Sequence, residues 1–380
     1  MSSTQSKFPF ASREDWHALV SAALKGGHPQ SLDRLDEDGL AIKALYDVGS
    51  YALASPDACA ITRLPVNPAS HIAHGWDICQ PVMAEGSAKD INRLILDELH
   101  DGVGTIWLQG LQTSDLADHL PAIMQDVVFA AAGIHLDAGN DVMAQIAAFA
   151  GFAKTADANL AASRFYANID PFAPAADADL LASALAHFVL ADAGDVPPDM
   201  FRAQGWRWHN QGMTAVQEIA YILASLTEIL RQGVARDIDP ARLAKHMSAS
   251  LALPADLFEG IAKCRALRRG WGGIIRALGL DPDAHRLCIH GSVSIRMFST
   301  VDSEVNMLRT TTALLGGAIG GADQLSAHAH NCLTGDDLLG RRLARMQQHL
   351  LIDESGLSRS LDPAGGAGFI EDRTDQLGLA

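Results

Sequence analysis

The side chains able to do chemistry in this 380-residue chain are mostly histidines and small hydroxyl residues. His209, in HNQGMT, is a general-acid candidate because an imidazole titrates near neutral pH. An imidazole simply hydrogen-bonded within the fold explains the same residue equally well. His328 and His330 stand two apart, so on a strand they point the same way. Only Cys332 joins them at ligand spacing, and no metal site is expected. A second polar set comprises Gln109, Arg164, Tyr166, Asn210, His290, Ser292 and Ser294. Neither a GxSxG elbow nor an HExxH helix is present, so hydrolase chemistry has no anchor. Taken alone, these residues select no reaction.

Eight short β-rich runs alternate with longer helical patterns and must position those side chains. The strands read from the sequence are 76–84, 105–109, 127–133, 159–167, 201–210, 246–253, 286–296 and 324–331. In AVQEIAYILASLTEIL, Val216, Ile219, Ala220, Leu223 and Leu226 recur at three- and four-residue steps and predict one buried stripe. Ser87 with Asp90 and Ser114 with Asp115 offer helix-starting oxygens and acids, and Gly102 marks a helix end. Strands alternating with helices imply right-handed crossovers and a parallel sheet, and eight such units favour a closed (β/α)8 barrel over residues 74–380. An open doubly wound sheet would need a glycine-rich phosphate turn after its first strand; MAEGSAKD is not one. GGAIGG (316–321) ends a helix rather than beginning one, so it reads as tight helix packing. In such a barrel the chemistry lies at the carboxyl ends of the strands, where the polar residues above are expected.

Residues 1–73 lie outside that pattern: FPFASREDWHALVSAAL makes an amphipathic helix, LDEDGLAIKALYD a turn with a short extended piece, and ASPDACAITRLPVNPAS an extended arm. Composition excludes several classes. Twenty-nine Lys+Arg against 45 Asp+Glu leave a net charge of −16, the wrong sign for a nucleic-acid binder. No apolar run approaches the roughly 20 residues of a membrane-spanning helix. MSSTQSKFPFASREDWHALV lacks the features of a secretory signal, and the five cysteines form no CxxC pair, so a cytoplasmic location is expected.

IAKCRALRRGW (261–271), VNMLRTTTALLGGAIGGADQLSAHAHN (305–331) and RRLARMQQHLLIDESGLSRSLDPAGGAGFIE (341–371) resemble the acyl-CoA-binding barrel of methylmalonyl-CoA mutases. AVQEIAYILA (215–224), GWDICQ (75–80) and DEDGLAIKALYD (36–47) extend the resemblance in collinear order over nearly the whole chain. It implies a (β/α)8 TIM barrel with an N-terminal arm, threaded along its axis by CoA. The family's reaction interconverts methylmalonyl-CoA and succinyl-CoA with an adenosylcobalamin radical. Small inward hydroxyl residues such as Ser292, Ser294 and Ser326 would suit that channel, with Gln109, Arg164 and His328 as further substrate-binding candidates.

Several departures change the implied role. No cobalamin-binding Rossmann domain is read; DPDAHRLC (281–288) approaches the Asp-x-His-x-x-Gly cobalt-ligand pattern but has Cys288 at the glycine position. The family's Arg-Gly-Pro-Tyr segment is PASHIAHGWD here, without a tyrosine, and His246 stands where a CoA-phosphate arginine is expected. The insertion that carries the substrate-carboxylate arginine is missing. FYANIDPFAPAA (165–176) resembles the corresponding turn of the family's small subunits, and Gly212 follows His209 by three residues, as in those subunits. Imidazole in place of guanidinium loses the bidentate fork and, at neutral pH, most of the charge. The resemblance therefore implies a small (β) subunit, catalytically silent, paired as a heterodimer with a large (α) subunit that carries adenosylcobalamin. Its amino-terminal arm would be the docking element. The alternative is a barrel acting on a different acyl-CoA that borrows cobalamin from a separate chain. An arginine at the barrel mouth (Arg164 or Arg296) would favour that alternative; a mouth plugged by side chains would favour the silent subunit.

Overall fold

A computed structural model describes residues 11–46, 75–111, 116–129, 131–137, 142–155, 164–174, 176–190, 196, 199–335 and 337–380. The chain divides into two compact units, Met1–Leu53 and Ala54–Ala380. The first contains α1 (Arg13–Ala23), opened by a capping box between Ser12 and Asp15, and a minimal antiparallel pair of β1 (Arg34–Leu35) with β2 (Ala41–Ile42). Asp36 bridges the turn between those strands by accepting from the Asp38 and Leu40 amides. The proline-rich stretch 54–70 lies outside the described residues.

The second unit closes eight parallel strands into a barrel: β3 (Asp77–Met83), β4 (Thr105–Gln109), β5 (Gly133–Leu136), β6 (Arg164–Ile169), β7 (Asp199–Gln204), β8 (Met247–Leu253), β9 (Cys288–Val293) and β10 (Gln324–Ser326). β10 pairs with both β9 and β3, which leaves no open edge. The larger helices between strands are α2 (Ala88–His100), α3 (Leu116–Ile123), α4 (Val142–Thr155), α5 (Leu180–Leu190), α7 (Ala215–Val234), α9 (Leu257–Ala277) and α10 (Val305–Ile319). After β10 come α11 (Leu338–His349) and α12 (Gly368–Leu379); α6 (Gly205–His209) and α8 (Pro240–Ala244) are short insertions. The capping box predicted at Ser87 and Asp90 starts α2, and Gly102, at φ +95°, follows its end. Ser114 and Asp115 lie outside the described residues.

Five strands differ from the sequence reading by several residues, the fourth (159–167, here Arg164–Ile169) and the eighth (324–331, here Gln324–Ser326) among them, and the other three differ for a local reason. In 127–133, the Ala131 and Ala132 amides both return to Val128 O at 2.9 Å, which makes a turn. The strand begins at Gly133, where a Cβ would stand 2.3 Å from Thr105 Oγ1. The run 201–210 breaks at Gly205, where a Cβ would meet Ile222 Cδ1 at 2.6 Å and Glu218 Cγ at 2.8 Å; the chain then coils into α6. The run 286–296 stops at Val293 and finishes in a single tight turn over 295–297.

α7 also turns its buried face slightly from the expected stripe. Glu218, Ile219, Ile222 and Leu226 are buried, whereas Ala220 is exposed. The glycine-rich end of α10 packs tightly, as its order in the chain implied. A Cβ on Gly316 would lie 3.4 Å from the Gly260 Cα of α9, and one on Gly317 only 2.5 Å from Leu253.

Outward strand residues such as Ile106, Leu108, Ile134, Phe165, Leu251, Ile289 and Leu325 form the apolar layer beneath the helices. The inward positions are mostly polar, unlike the branched aliphatic layers common in such barrels. Buried polar groups are costly unless hydrogen-bonded, so the barrel axis must be read as a network. Among the described residues, no helix is long and apolar enough to cross a membrane.

Candidate functional site: the barrel axis and its mouth

At the amino-terminal end of the barrel, the strand starts bring Asp77, Thr105 and Arg164 together. The Asp77 carboxylate accepts from Thr105 Oγ1 and pairs with the Arg164 guanidinium. Arg164 also donates to the Gly104 and Ala131 carbonyls, each at 3.2 Å. Arg164 thus sits at the start of β6, the end opposite the mouth. The sequence placed it among the mouth residues because the strand was read as 159–167; the described strand is Arg164–Ile169, and residues 159–163 lie outside the described residues.

One layer higher, Arg202 Nε donates to Ser248 Oγ at 2.8 Å and its Nη1 lies 2.7 Å from His135 Nδ1. Asn168 Nδ2 approaches the same ring nitrogen at 3.2 Å. A nitrogen facing two donors, one of them permanently cationic, must be the acceptor, so His135 is a neutral imidazole. Burial, followed by the charge of Arg202, holds its pKa well below the ordinary value. His290 stands opposite, its ring centroid 5.5 Å from that of His135. Its Nδ1 lies 3.1 Å from Ser250 Oγ and its Nε2 2.6 Å from Ser326 Oγ. Burial again, then Arg202, pushes its pKa well down. β5 and β9 are four strands apart in an eight-strand barrel, so the two histidines meet across the axis.

Toward the mouth, the Trp107 ring stands edge-on to His290 at 5.4 Å and to Trp206 at 5.2 Å, with His328 at 6.1 Å. Arg207 lies over the Trp206 ring, pairs with Asp137 and donates to Gln204 Oε1 at 2.8 Å. Gln204 in turn donates to the Asn168 carbonyl at 2.9 Å. From the Asp77 layer to Trp206, side chains of the protein meet across the axis.

The remaining sequence candidates fall around this plug. Gln109 ends β4 half-buried, and its carbonyl accepts from Ala84 N. Ser294 Oγ lies 3.3 Å from Asn210 Oδ1, while buried Ser292 Oγ has no hydrogen-bond partner among the described residues. Tyr166 is half-buried beside Arg202, whose guanidinium lies 5.7 Å from its ring centroid. Arg296 is spent on the carbonyls of His209 and Met213. Asn306, fully buried, ties Ser299 to the His330 carbonyl and so clamps the loops after β9 and β10.

His209 is placed differently from the sequence reading. It ends α6 instead of β7 and turns away from the axis, its Nδ1 3.3 Å from Glu218 Oε2. Glu218 also accepts from the Ala252 amide at 2.7 Å and from Lys263 Nζ at 2.5 Å, and Lys263 donates back to the Ala252 carbonyl. Burial raises the Glu218 pKa, but Lys263 and His209 outweigh it and leave the carboxyl below its ordinary value. The trio fastens α6, α7 and α9 to β8.

Sequence reasoning missed Trp107, His135, Arg202, Glu218 and Lys263. His135 was hidden by the misplaced third strand. Lys263 carried a usable signal: a lysine inside the apolar run IAKCRAL must find a buried acid. Among the described residues, no cluster of three or more His, Cys, Asp or Glu side chains is placed to hold a metal.

Comparison with known proteins adds an independent line. Residues 198–379 match the family profile described as methylmalonyl-CoA mutase. A methylmalonyl-CoA mutase small subunit of Streptomyces virginiae is 30% identical, with the alignment covering 100% of this chain and 63% of that protein. A probable methylmalonyl-CoA mutase small subunit of Mycobacterium tuberculosis is also 30% identical, over 94% of this chain and 60% of that protein. An Escherichia coli methylmalonyl-CoA mutase is 28% identical over 51% of this chain. The chain spans about three-fifths of the length of the small subunits it matches.

Proposed function

We propose that this chain, similar to methylmalonyl-CoA mutase small subunits over nearly its whole length, is the small subunit of a mutase-type isomerase, silent in catalysis and stabilising a large partner chain. The complex would act in the cytoplasm on methylmalonyl-CoA and succinyl-CoA, the large chain holding adenosylcobalamin. The amino-terminal arm, residues 1–73, would dock on that partner. α1 supports this reading, since it buries none of its residues.

One observation carries the silent role: the axis that an acyl-CoA would thread is crossed by a chain of ring contacts, His135 to His290, His290 to Trp107 and Trp107 to Trp206. The two arginines considered for a CoA site are both committed, Arg164 to Asp77 at the far end and Arg296 to backbone carbonyls. Among the described residues, the stretch nearest to a cobalt-ligand motif does not fit cobalamin either. His285, in that stretch, bonds Asp281 O through Nδ1, and its Nε2 is buried. No catalytic step is therefore assigned to this chain. Its residues keep a closed barrel rigid, with the Glu218–Lys263–His209 trio and the Asn306 clamp fixing the loops at the mouth.

Co-expression with the large mutase subunit of the same host, followed by size-exclusion chromatography and a mutase assay with adenosylcobalamin, tests the proposal. A one-to-one complex whose turnover depends on the large chain's site supports it. A chain that stays apart from the large subunit and binds an acyl-CoA alone refutes it.

A further inference from the structure

The outer face of α11 does not look like an ordinary solvated helix surface. Leu338, Arg342, Met346 and Leu350 recur every four residues and form one exposed stripe, with Leu338 71% and Leu350 51% exposed. Leu308 of α10 is also 69% exposed; Gln347 bonds Met307 O and Thr311 Oγ1 and holds the two helices side by side. Large apolar side chains exposed along one helix face mark an interaction site.

Two further features say what kind of partner it fits. A cleft of about 350 Å³ runs beside the stripe between α2 and α11, its walls including Leu94, Leu338 and Arg342. It is large enough to take an anchoring side chain from another protein. Arg345 pairs with Glu98 and Asp101, two of the cleft's three acids, and the third, Asp97, is exposed. The exposed Arg342 guanidinium, by contrast, has no ion-pair partner among the described residues. A second copy of this chain packed stripe on stripe would meet it with the same five positions, none of them a carboxylate. Such a contact would desolvate Arg342 without pairing it.

We infer that the α11 stripe and its cleft form the docking surface for a different polypeptide, one presenting an apolar helix face with a carboxylate opposite Arg342. This rests on the small-subunit reading, and the occupant is the large mutase subunit.

The test uses the full chain and the large mutase subunit of the same host, with affinity measured by calorimetry or interferometry. Arg342→Glu and Met346→Glu are expected to weaken binding by about tenfold or more each, while melting temperatures stay near wild type because both sites are exposed. Leu190→Glu on α5, 84% exposed and on the opposite side of the barrel, serves as control and should bind normally. Raising salt should weaken the wild type more than Arg342→Met, because only the former carries the ion pair. If the wild type binds and the α11 variants bind equally well, the assignment of this surface is overturned while the small-subunit reading stands. If the wild type does not bind the large subunit at all, both fall. Self-association lost on Met346→Glu would replace the heterologous partner by a second copy and also overturn the inference.

Discussion

Replacing Lys263 by methionine tests the energetics of the mouth most severely. Lys263 and Glu218 are both fully buried, and the ammonium lies 2.5 Å from Glu218 Oε2 and 2.7 Å from the Ala252 carbonyl. Methionine fills nearly the same space but leaves a carboxylate facing only the Ala252 amide and His209. Stranding one member of a buried ion pair costs about 3–5 kcal/mol, a large share of the roughly 5–15 kcal/mol by which domains are stable. Urea unfolding at pH 7, followed by the fluorescence of the six tryptophans, should show the midpoint falling with little change in slope. The pH dependence supplies a second reading. In the wild type the folded Glu218 pKa lies below its ordinary value, so its contribution is complete above roughly 4.3 and is lost as pH falls through the folded pKa. Without Lys263, burial should lift that pKa above the unfolded value. The penalty then grows as pH rises and shrinks when the carboxyl takes a proton. The gap between wild type and Lys263→Met should therefore narrow from pH 7 to pH 5. Adding Glu218→Gln should restore part of the loss, because a neutral amide can still accept from the Ala252 amide. A cost below about 1 kcal/mol, or a gap indifferent to pH, would refute the assignment of a buried charged pair.

Other variants probe the axis. Trp107→Ala should cost about 3–5 kcal/mol in urea unfolding, since its ring fills the space between His290 and Trp206. His135 and His290 have folded pKa values below the unfolded one, so they cost stability as pH falls below roughly 6.5. Asp199 acts in the opposite sense: burial lifts its pKa to about 6, so its contribution is lost as pH rises from its unfolded value through 6. Asp199→Asn should accordingly steepen the rise of stability between pH 5 and 6.5, and His135→Gln with His290→Gln should flatten it. Gly205→Ala should cost about 1–3 kcal/mol, because its Cβ would press on Ile222 and Glu218 and displace α6.

The architecture was legible because long helices and alternating strands follow periodicities that burial enforces, and all eight strands fall in or beside the expected runs. Boundaries slipped where a glycine decides. Gly133 and Gly205 are set by atoms from distant elements, Thr105 and Ile222, which no local window contains. The interior of the barrel was the least legible part. Serines and histidines along a strand are compatible with either a channel or a filled core. Only the closure of the sheet shows that His135 meets His290 and that Trp107 stands against both His290 and His328. Arg164 and His209 were read as mouth residues from their nearness to strand ends. The first is held at the opposite end by Asp77, and the second is drawn off the axis by Glu218.

The number of acyl-CoA sites in the reconstituted complex with the large subunit tests the central claim most directly. Calorimetric titration with succinyl-CoA should give one site per heterodimer, unchanged when Trp107 or His290 of this chain is replaced. Two sites per heterodimer, the second lost on substituting those residues, would show that this barrel binds substrate and would contradict its silent role.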